Sequence, residues 1–365
     1  MTQKRILVAV TSDVYSDMRV CKVADFLSQA NDVKVVGRKT SSFSSEQLFE
    51  VKRFRLLFNR SFLFYLEFNL RFFIYGLFHR VDVIVANDLD TLLACYLLSK
   101  IKKATLVYDS HEYFTESVGL QNRPLPKKIW TLLEQWILPK IKHFYTVSQP
   151  ISDAYFEKYK VRAEIVRNFP VLTSYTPIQD ERFEHKKIIL YQGVLNPHRG
   201  LENTIEAMRY LTSDAIFVII GYGELETTLN DLIQKHQLQD KVCMLGKMPY
   251  ITMMRYTQIA HLGIALEEPV GDSFRFSLPN KVFDYIHSSL PFLSLGTPEV
   301  RKIIEQYGNG ILINYNNPQE LAKEIDSALN NQELLNTIKQ KQQESKHLFT
   351  WEQECKVLAR VYDRV

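Results

Sequence analysis

The sequence is short of cysteine and has no long apolar run. Its cysteines are too far apart for a CxxC pair or a compact disulfide framework, which favours a reducing compartment; they are Cys21, Cys95, Cys243 and Cys355. The first apolar run, at 6–10, is shorter than a signal-peptide core, and no uncharged run approaches the ~18 residues that a spanning helix needs. Glycine and proline, 13 residues each, are too few for a collagen-like or low-complexity chain. We therefore expect a folded cytoplasmic protein.

Length and charge bound the architecture and the partners. The 365 residues exceed the ~150 of a typical domain, so two α/β domains are the first expectation. Residues 1–170 hold 25 Lys and Arg against 17 Asp and Glu, a net charge of +8, whereas residues 171–365 hold 20 against 24, a net charge of −4. This asymmetry indicates that the first half faces an anionic partner, unless it is only an uneven distribution of solvated charge.

Short apolar runs rich in Val and Ile alternate with helix-length amphipathic stretches. Such runs are typical of parallel strands that crossover helices bury on both faces, and they fall at 5–10, 33–37, 81–86, 104–109, 143–148, 187–193, 215–221, 241–246, 262–266, 291–295 and 310–313. The stretch 168–184 has two prolines and no sustained period, so it is a candidate linker. The pattern predicts two doubly wound parallel-sheet domains facing a cleft, with ligands beyond the carboxyl ends of the strands.

Two basic, aromatic segments interrupt this alternation. Residues 51–80 contain eight Phe, six Lys and Arg and one acid, Glu67. Residues 123–142 place Trp130 and Trp136 among several lysines. Aromatic rings at headgroup level and cations near anionic lipid are typical of a peripheral membrane contact, while the alternative is a core of rings with a solvated basic rim. No nucleic-acid-binding signature accompanies the charge, so nucleic acid is not an expected partner.

One stretch of the second half could bind an anion. Residues 191–208 lead from a strand through Gly193 and a short loop to Arg199 and Gly200, where a helix starts. Free N–H groups at a helix start and a guanidinium suit a phosphate. The pattern is weak by itself, because many strand-to-helix turns contain two glycines.

Two further stretches of the second half add candidate groups. Residues 218–229 contain Gly221 and Gly223 but lack the third glycine of a dinucleotide fingerprint, which argues against a nicotinamide or flavin cofactor. Near residue 280 a helix places Lys281 and Asp284 about one turn apart, so one helix end could offer a cation and a carboxylate that accepts from two ribose hydroxyls. On spacing alone, Asp284 could equally be a surface residue.

Taken in order, the motifs resemble those of the retaining glycosyltransferases of the GT-B fold, in the family called glycosyl transferases group 1. The resemblance covers nearly the whole chain, and its strings are YDSHEYFTE, TVSQPISDAY, VRNFP, YQGVLNPHRGLENTIEAM, VIIGYGELETTL, KVCMLGKMP, SLPNKVFDYIHSSLPFLSL and FTWEQECKVLARVYDRV. It implies an N-terminal Rossmann-like acceptor-binding domain at 1–170, a C-terminal Rossmann-like donor-binding domain at 171–345, and a last helix at 346–365 that crosses back to the first domain.

The resemblance also implies roles for second-half residues. Arg199 resembles the family's diphosphate-binding base, although Val194 stands where a partner arginine is usual. Asp284 falls where the second Glu of the family's Glu-x7-Glu motif binds the donor ribose, and Phe276 occupies the place of the first Glu. Arg199 and Lys281 are expected to be catalytic. Donor contacts are expected from Gly193, Arg199, Gly221, Gly223, Lys247, Ser277, Asn280, Lys281 and Asp284.

In the first half, His111 resembles the family's active-site histidine, which faces the donor sugar, and is expected to be catalytic. Arg19 opens the first helix and could approach the donor phosphate. Acceptor contacts are expected from Asp17, Asn87, Asp88 and Asp109. Residues 88–90 also spell the DxD triplet by which a different glycosyltransferase fold binds a metal, but they follow a first-domain strand, and we predict no metal and no cofactor.

These expectations define a function. The chain would move a sugar from a nucleotide-diphosphate sugar to a hydroxyl of a glycan or polyprenyl-linked acceptor, with retention and without a metal, in cell-envelope polysaccharide synthesis. It would be cytoplasmic and peripheral on the inner face of the cytoplasmic membrane, with 51–80 and 123–142 against anionic lipid. Two alternatives stay open: a sugar-nucleotide 2-epimerase of the same fold, and a catalytically silent nucleotide-sugar-binding protein.

Overall fold

The computed structural model describes residues 3–41, 46–121 and 123–365. The chain divides into two compact units. The N-terminal unit is Met1–Asn168 together with Glu354–Val365, and the C-terminal unit is Phe169–Gln353. Most of the last helix therefore belongs to the N-terminal unit, and residues 166–180, around the change of unit, contain no helix or strand.

The N-terminal unit is built on a seven-stranded parallel sheet. Its strands are Arg5–Ala9 (β1), Asp32–Arg38 (β2), Glu50–Phe54 (β3), Val83–Asn87 (β4), Thr105–Ser110 (β5), His143–Thr146 (β6) and Glu164–Ile165 (β7). They lie in the order β3-β2-β1-β4-β5-β6-β7, with Ile6 of β1 between Val33 and Val83. The central strands are buried on both faces, which is why they read as continuous apolar runs.

Helices cover both faces of this sheet. They are Met18–Ser28 (α1), Ser61–Leu77 (α2), Leu89–Lys102 (α3), Val118–Gln121 (α4), Pro124–Ile137 (α5) and Gln149–Tyr159 (α6). The steps β3 to β4, β4 to β5 and β5 to β6 all run in one direction across the sheet, whereas β1 to β2 runs in the other. Because parallel crossovers are right-handed, α2, α3 and α5 lie on one face and α1 on the opposite face.

The C-terminal unit repeats the design with six parallel strands in the order β10-β9-β8-β11-β12-β13. The strands are Lys187–Gln192 (β8), Ala215–Ile220 (β9), Val242–Gly246 (β10), Leu262–Ala265 (β11), Phe292–Ser294 (β12) and Ile311–Leu312 (β13). The helices are Leu201–Ala207 (α7), Glu226–Lys235 (α8), Tyr250–Thr257 (α9), Gly271–Arg275 (α10), Asn280–His287 (α11), Pro298–Tyr307 (α12), Pro318–Asn330 (α13) and Gln332–Ser345 (α14), followed by Trp351–Asp363 (α15). Short 3-10 turns occupy Val14–Ser16, Phe114–Glu116, Leu138–Lys140, Glu181–Phe183 and Lys346–Leu348.

Two apolar clusters hold the C-terminal unit together, one on each face of its sheet. Leu201 of α7 and Leu229 of α8 belong to one cluster, and Phe283 of α11 and Val300 of α12 belong to the other. Each fully buried side chain of this kind contributes about 1.5–3 kcal/mol relative to exposure. The two clusters therefore fix where β8, β9 and β11 end.

The predicted fold class is confirmed: both units are doubly wound parallel-sheet domains. Strands β3 and β7 were not among the runs predicted from the sequence. Both are edge strands and neither has a fully buried residue, so neither has the apolar run by which the other strands were recognised. In the part of the chain that the structure describes, no helix is long and apolar enough to cross a bilayer.

Candidate active site

Glycine loops follow β8 and β9 at the carboxyl edge of the C-terminal sheet. Gly193 and Gly221 have φ values of 135° and 154°, a region that L side chains rarely adopt. A Cβ at Gly221 would overlap the Gly193 carbonyl oxygen, and one at Gly223 would overlap the Leu195 backbone. The two predicted loops thus pack against each other, and only glycine fits there.

Arg199 and Lys281, 82 positions apart in the sequence, meet beside these loops. Lys281, on the first turn of α11, is only 5% exposed, and its Nζ lies 3.6 Å from the centroid of the Tyr191 ring. The Arg199 side chain is more exposed and precedes α7. Helix α7 has only seven residues, and the positive charge at this edge of the sheet comes from the side chains of Arg199 and Lys281.

Glu267 lies between the two cations and was missed as a site residue. It lies two residues after the end of β11 and is 3% exposed, and its Oε1 lies 2.9 Å from Lys281 Nζ and 3.6 Å from Arg199 Nη1. Glu267 Oε1, Lys281 Nζ and Arg199 Nε are nevertheless buried without a well-aligned hydrogen-bond partner among the described residues. Buried polar atoms normally have such partners, so three together mark a place where a charged ligand would complete the bonding.

A second side-chain contact holds the loop that carries Arg199. His198 Nδ1 lies 3.0 Å from Glu268 Oε2, and the Glu268 amide donates to the His198 carbonyl. His198 has a positive φ of 65°, so the turn into Gly200 is held in an uncommon conformation. The neighbouring acids Glu267 and Glu268 therefore have different partners, one in the cation cluster and one in the supporting loop.

Asp284 on α11 is buried beneath this edge of the sheet. Its Oδ2 accepts from Gln192 Nε2 at 2.8 Å, and its Oδ1 accepts from the Tyr250 hydroxyl at 2.6 Å. Each carboxylate oxygen can accept more than one hydrogen bond, so the ribose contact stays a prediction. Asp284 is not the surface helix residue that its spacing allowed.

The other expected donor contacts are more peripheral. Lys247 is exposed, with its Nζ 4.4 Å from the Tyr222 ring centroid. The Ser277 hydroxyl donates to the Phe274 carbonyl, and Asn280 is exposed at the start of α11. Phe276, in the place of the family's first glutamate, is only partly buried and follows α10. The donor contacts expected of Lys247, Ser277 and Asn280 therefore stay predictions.

The N-terminal unit gathers its own polar cluster at the ends of β4 and β5. His111 Nε2 lies 3.2 Å from Asp109 Oδ2, and His111 Nδ1 lies 3.4 Å from Asp88 Oδ2. The His111 amide also donates to Asp88 Oδ1 at 2.7 Å. One imidazole thus lies between two carboxylates, and His111 and Asp88 are partly exposed while Asp109 is completely buried.

These contacts shift the protonation equilibria in opposite directions. Burial alone would lower the pKa of His111, but the carboxylates of Asp88 and Asp109 raise it to about 9. Burial raises the pKa of Asp88 to about 7, against the opposing effect of the His111 charge. Burial alone would raise the pKa of Asp109, but Arg19 and His111 hold it at about 2. At neutral pH, His111 is therefore a cation and Asp109 an anion.

Asp88 is also strained. It precedes α3 with φ 59° and ψ 170°, a combination that is essentially restricted to glycine. Its amide donates to the Asp109 carbonyl, and its carboxylate accepts from the His111 amide. Strain of this kind costs about 1–3 kcal/mol and concentrates at functional sites.

Arg19 and Asp109, two of the expected site residues, form a buried ion pair. Arg19 is buried, its Nη2 lies 2.6 Å from Asp109 Oδ1, and its Nη1 donates to the Val166 carbonyl. The contact of Arg19 with a donor phosphate stays a prediction. Asp109 lies between Arg19 and His111, and its contact with an acceptor also stays a prediction.

Two other acceptor candidates have structural partners. Asp17 caps α1 by accepting from the Val20 amide, which satisfies a free N–H of the first turn. Asn87 is buried and donates to the Ala9 carbonyl. In the DxD triplet, Asp90 is buried and accepts from Thr11. Within the described residues, no group of three His, Cys, Asp or Glu is arranged as a metal site.

Two family models match the chain, and together they span most of it. The model described as "Glycosyl transferases group 1" matches residues 177–345, which include the Arg199–Glu267–Lys281 cluster. The model described as "Glycosyltransferase Family 4" matches residues 18–170, which include His111 and its carboxylates. Each half of the chain therefore matches a glycosyltransferase domain.

Curated relatives of the chain are distant. The chitobiosyldiphosphodolichol beta-mannosyltransferase of Candida albicans is 23% identical over 272 residues, which are 73% of this chain. The matched region is only 49% of the Candida protein, so the chain spans about half the length of that relative. A putative glycosyltransferase of Bacillus subtilis, YtcC, is 24% identical over 68% of this chain and 67% of its own length.

Solved structures share the fold along the whole chain. A sucrose-phosphate synthase from Thermosynechococcus elongatus is 17% identical with a TM-score of 0.82 over 99% of both chains. The Anabaena protein HepE, solved in complex with UDP-glucose, is 16% identical with a TM-score of 0.76 over 100% of both chains. The two units of the chain thus have the Rossmann-like architecture of the GT-B fold.

Proposed function

We propose that the protein moves a hexosyl group from a nucleotide-diphosphate sugar to a hydroxyl of a glycan or lipid-linked acceptor. The observation that carries the proposal is the pair of cations Arg199 and Lys281, whose buried donor atoms lack well-aligned hydrogen-bond partners in the described chain. A diphosphate supplies the oxygens that a guanidinium and an ammonium bind best. The UDP and UDP-glucose complexes of Anabaena HepE support this choice of donor.

The transfer needs a stabilised leaving group. The bond between the sugar's anomeric carbon and the phosphate oxygen breaks, and the acceptor oxygen bonds to that carbon. Arg199 and Lys281 neutralise the growing charge on the diphosphate, and preorganised charges of this kind are the largest single contribution in many enzymes. Two side-chain cations can do this without a metal, so we expect turnover to persist after treatment with a chelator.

We propose that the sugar is transferred with retention, by attack from the face that the diphosphate leaves. The acceptor's proton passes to the departing phosphate oxygen in the same step. Because the acceptor attacks the donor sugar directly, no covalent sugar–enzyme bond forms. The configuration of the product's anomeric carbon, read by NMR, tests this directly. A product of inverted configuration would contradict it.

We assign the acceptor side to the N-terminal unit. Asp88 and His111 are the partly exposed polar groups at its sheet edge, and an imidazolium next to carboxylates can both donate to and orient sugar hydroxyls. We assign His111 the contact with the reacting sugar, with Asp109 and Arg19 holding its ring in place.

We propose that the acceptor is lipid-linked and that the protein works at the inner face of the cytoplasmic membrane, in cell-envelope polysaccharide synthesis. Two relatives support this by their names. The Candida enzyme is named for a diphosphodolichol acceptor, and the amylovoran biosynthesis glycosyltransferase AmsK of Erwinia amylovora is 28% identical over 37% of this chain. The basic, aromatic segments 51–80 and 123–142 are the second support.

One experiment separates transfer from its alternatives. Purified protein is incubated with a panel of nucleotide sugars, with and without a polyprenyl-diphosphate-linked acceptor, and nucleoside diphosphate release is measured. We expect acceptor-dependent release in the wild type and in Arg209→Ala, an exposed arginine outside the cluster, and little release in Arg199→Ala. Epimerisation without acceptor, or tight donor binding without turnover, would contradict the proposal.

A further inference from the structure

Helix α2 presents an apolar stripe to solvent. Its core-facing residues Phe64, Phe68 and Phe72 recur every four positions and are buried. Each exposed apolar residue is two positions away from a core-facing phenylalanine, which places it about 200° around the helix axis. These exposed residues are Phe62, Leu66, Leu70 and Ile74. Phe62 is 65% exposed and Leu70 is 56% exposed. The face directly opposite the core is therefore as apolar as the core face.

Helices α3 and α5 carry stripes of the same kind. On α3 the exposed apolar residues are Leu93, Leu97 and Ile101, again four apart and opposite the buried face of the helix. On α5 they are Leu125, Ile129, Leu132 and Trp136. The α3 stripe lies outside the two segments, 51–80 and 123–142, that the sequence predicts to contact a membrane. The apolar residues of α3 do not by themselves indicate which of them are exposed.

The three stripes belong to one surface. All three helices lie on the same face of the N-terminal sheet, and they pack against one another. Trp130 of α5 contacts Tyr65 of α2 with ring centroids 5.4 Å apart, and Trp136 contacts Tyr96 of α3 at 5.6 Å. We call these eleven exposed side chains and the basic residues among them the α2–α3–α5 surface. A contiguous apolar patch of this extent marks an interaction site.

On the three helices themselves, the exposed charges are positive, and Lys127 also pairs with Glu116 beside α5. The acids of the three helices are Glu67, Asp90 and Glu134, and all three side chains are buried or nearly so. Glu67 accepts from the Leu57 and Phe58 amides and pairs with Arg71. The cations, by contrast, reach solvent, and they are Arg71, Lys100, Lys102, Lys127 and Lys128.

We propose that the α2–α3–α5 surface inserts its apolar side chains into the interface of an anionic lipid bilayer, with its cations against the headgroups. The proposal deepens the lipid-linked acceptor of the proposed function and rests on it. A second copy of the chain fits this surface poorly, because a symmetric pair would place the cations of the three helices against one another, while the acids of these helices are buried or nearly so. Lipid phosphates supply the missing anions, and acyl chains cover the leucines.

The test compares the full chain with matched variants in vesicle flotation. The surface variant is Leu66→Ser, Leu70→Ser and Leu97→Ser together, and the control is Leu334→Ser with Leu348→Ser, two exposed leucines of the C-terminal unit. The vesicles are phosphatidylcholine alone or mixed with phosphatidylglycerol. We expect the wild type and the control to float with the mixed vesicles, and the surface variant to lose roughly a hundredfold or more in affinity, since each leucine that leaves water contributes about tenfold.

Salt, folding and activity complete the test. Raised salt should weaken binding without abolishing it, because the apolar part is not screened. Thermal unfolding of the surface variant should match that of the wild type, which excludes misfolding as the cause. Equal flotation of all variants, or a change only in oligomeric state, would overturn the surface proposal while leaving the transferase intact. Flotation without any turnover of nucleotide sugars would instead contradict the proposed function.

Discussion

Glu267→Gln removes the negative charge that lies between Arg199 and Lys281, and it should make the protein bind diphosphates more tightly. In the wild type, Glu267 Oε1 is 2.9 Å from Lys281 Nζ and 3.6 Å from Arg199 Nη1, so the carboxylate competes with any anion for the same two cations. A phosphate on the far side of those cations lies about 7 Å from the carboxylate. At an effective dielectric of about 20, that repulsion is roughly 2 kcal/mol.

The expected result is a Kd for inorganic pyrophosphate and for UDP that falls by about tenfold or more, since each 1.4 kcal/mol is about a factor of ten. Turnover should fall at the same time, because the cations lose the carboxylate that orients them and the product leaves more slowly. Without its partner, buried Lys281 also destabilises the protein, so pyrophosphate should raise the Tm of the variant more than that of the wild type.

The assay is calorimetric titration at constant ionic strength, with Glu268→Gln as the matched control. Glu268 has the same charge but pairs with His198 at a more exposed position, so its variant should bind pyrophosphate nearly as the wild type does. Unchanged or weaker binding by Glu267→Gln, in a variant that still unfolds cooperatively, would refute the competition between carboxylate and diphosphate.

Three further predictions concern single residues. Arg199→Ala should lower turnover by about a hundredfold, as the loss of one transition-state donor does, and an unchanged rate of nucleoside diphosphate release would remove Arg199 from the site. Because the pKa of His111 is raised from 6.5 to about 9, its charge stabilises the folded protein fully below pH 6.5, and this contribution is lost as the pH rises through 9. Urea unfolding of the wild type should lose up to roughly 3 kcal/mol across that window, and His111→Gln should lose much less. Asp88→Gly should be more stable than Asp88→Ala by about 1–2 kcal/mol in the same measurement, since only glycine relieves the strained φ and ψ; equal stabilities would argue against strain.

Much of the fold could be predicted because buried parallel strands have an unmistakable apolar pattern. The interior strands β1, β8 and β9 fall within the predicted runs, and β4 and β5 extend one residue beyond theirs. Strands β3 and β7 have no such run, since β3 alternates apolar with charged residues and β7 has only two residues. Likewise, the glycines at 193 and 221 were recognised from their positions after strands, where the structure shows positive φ values.

The site could be predicted only in part, because its contacts join residues distant in sequence. Nothing in the sequence around Glu267 indicates that Arg199 and Lys281 lie on either side of it. Arg19 is expected near a phosphate because it opens a helix, and no local pattern indicates its ion pair with the buried carboxylate of Asp109. A local pattern identifies a residue's type and its element, while the partner depends on how the sheet brings strand ends together.

The most direct test of the central claim is a crystal structure of the protein with a sugar nucleotide bound. We predict that the diphosphate lies within hydrogen-bonding distance of Arg199 and Lys281, with the Glu267 carboxylate displaced from at least one of them. A diphosphate bound elsewhere, with the ion pairs of Glu267 intact, would contradict the claim that this cluster holds the donor.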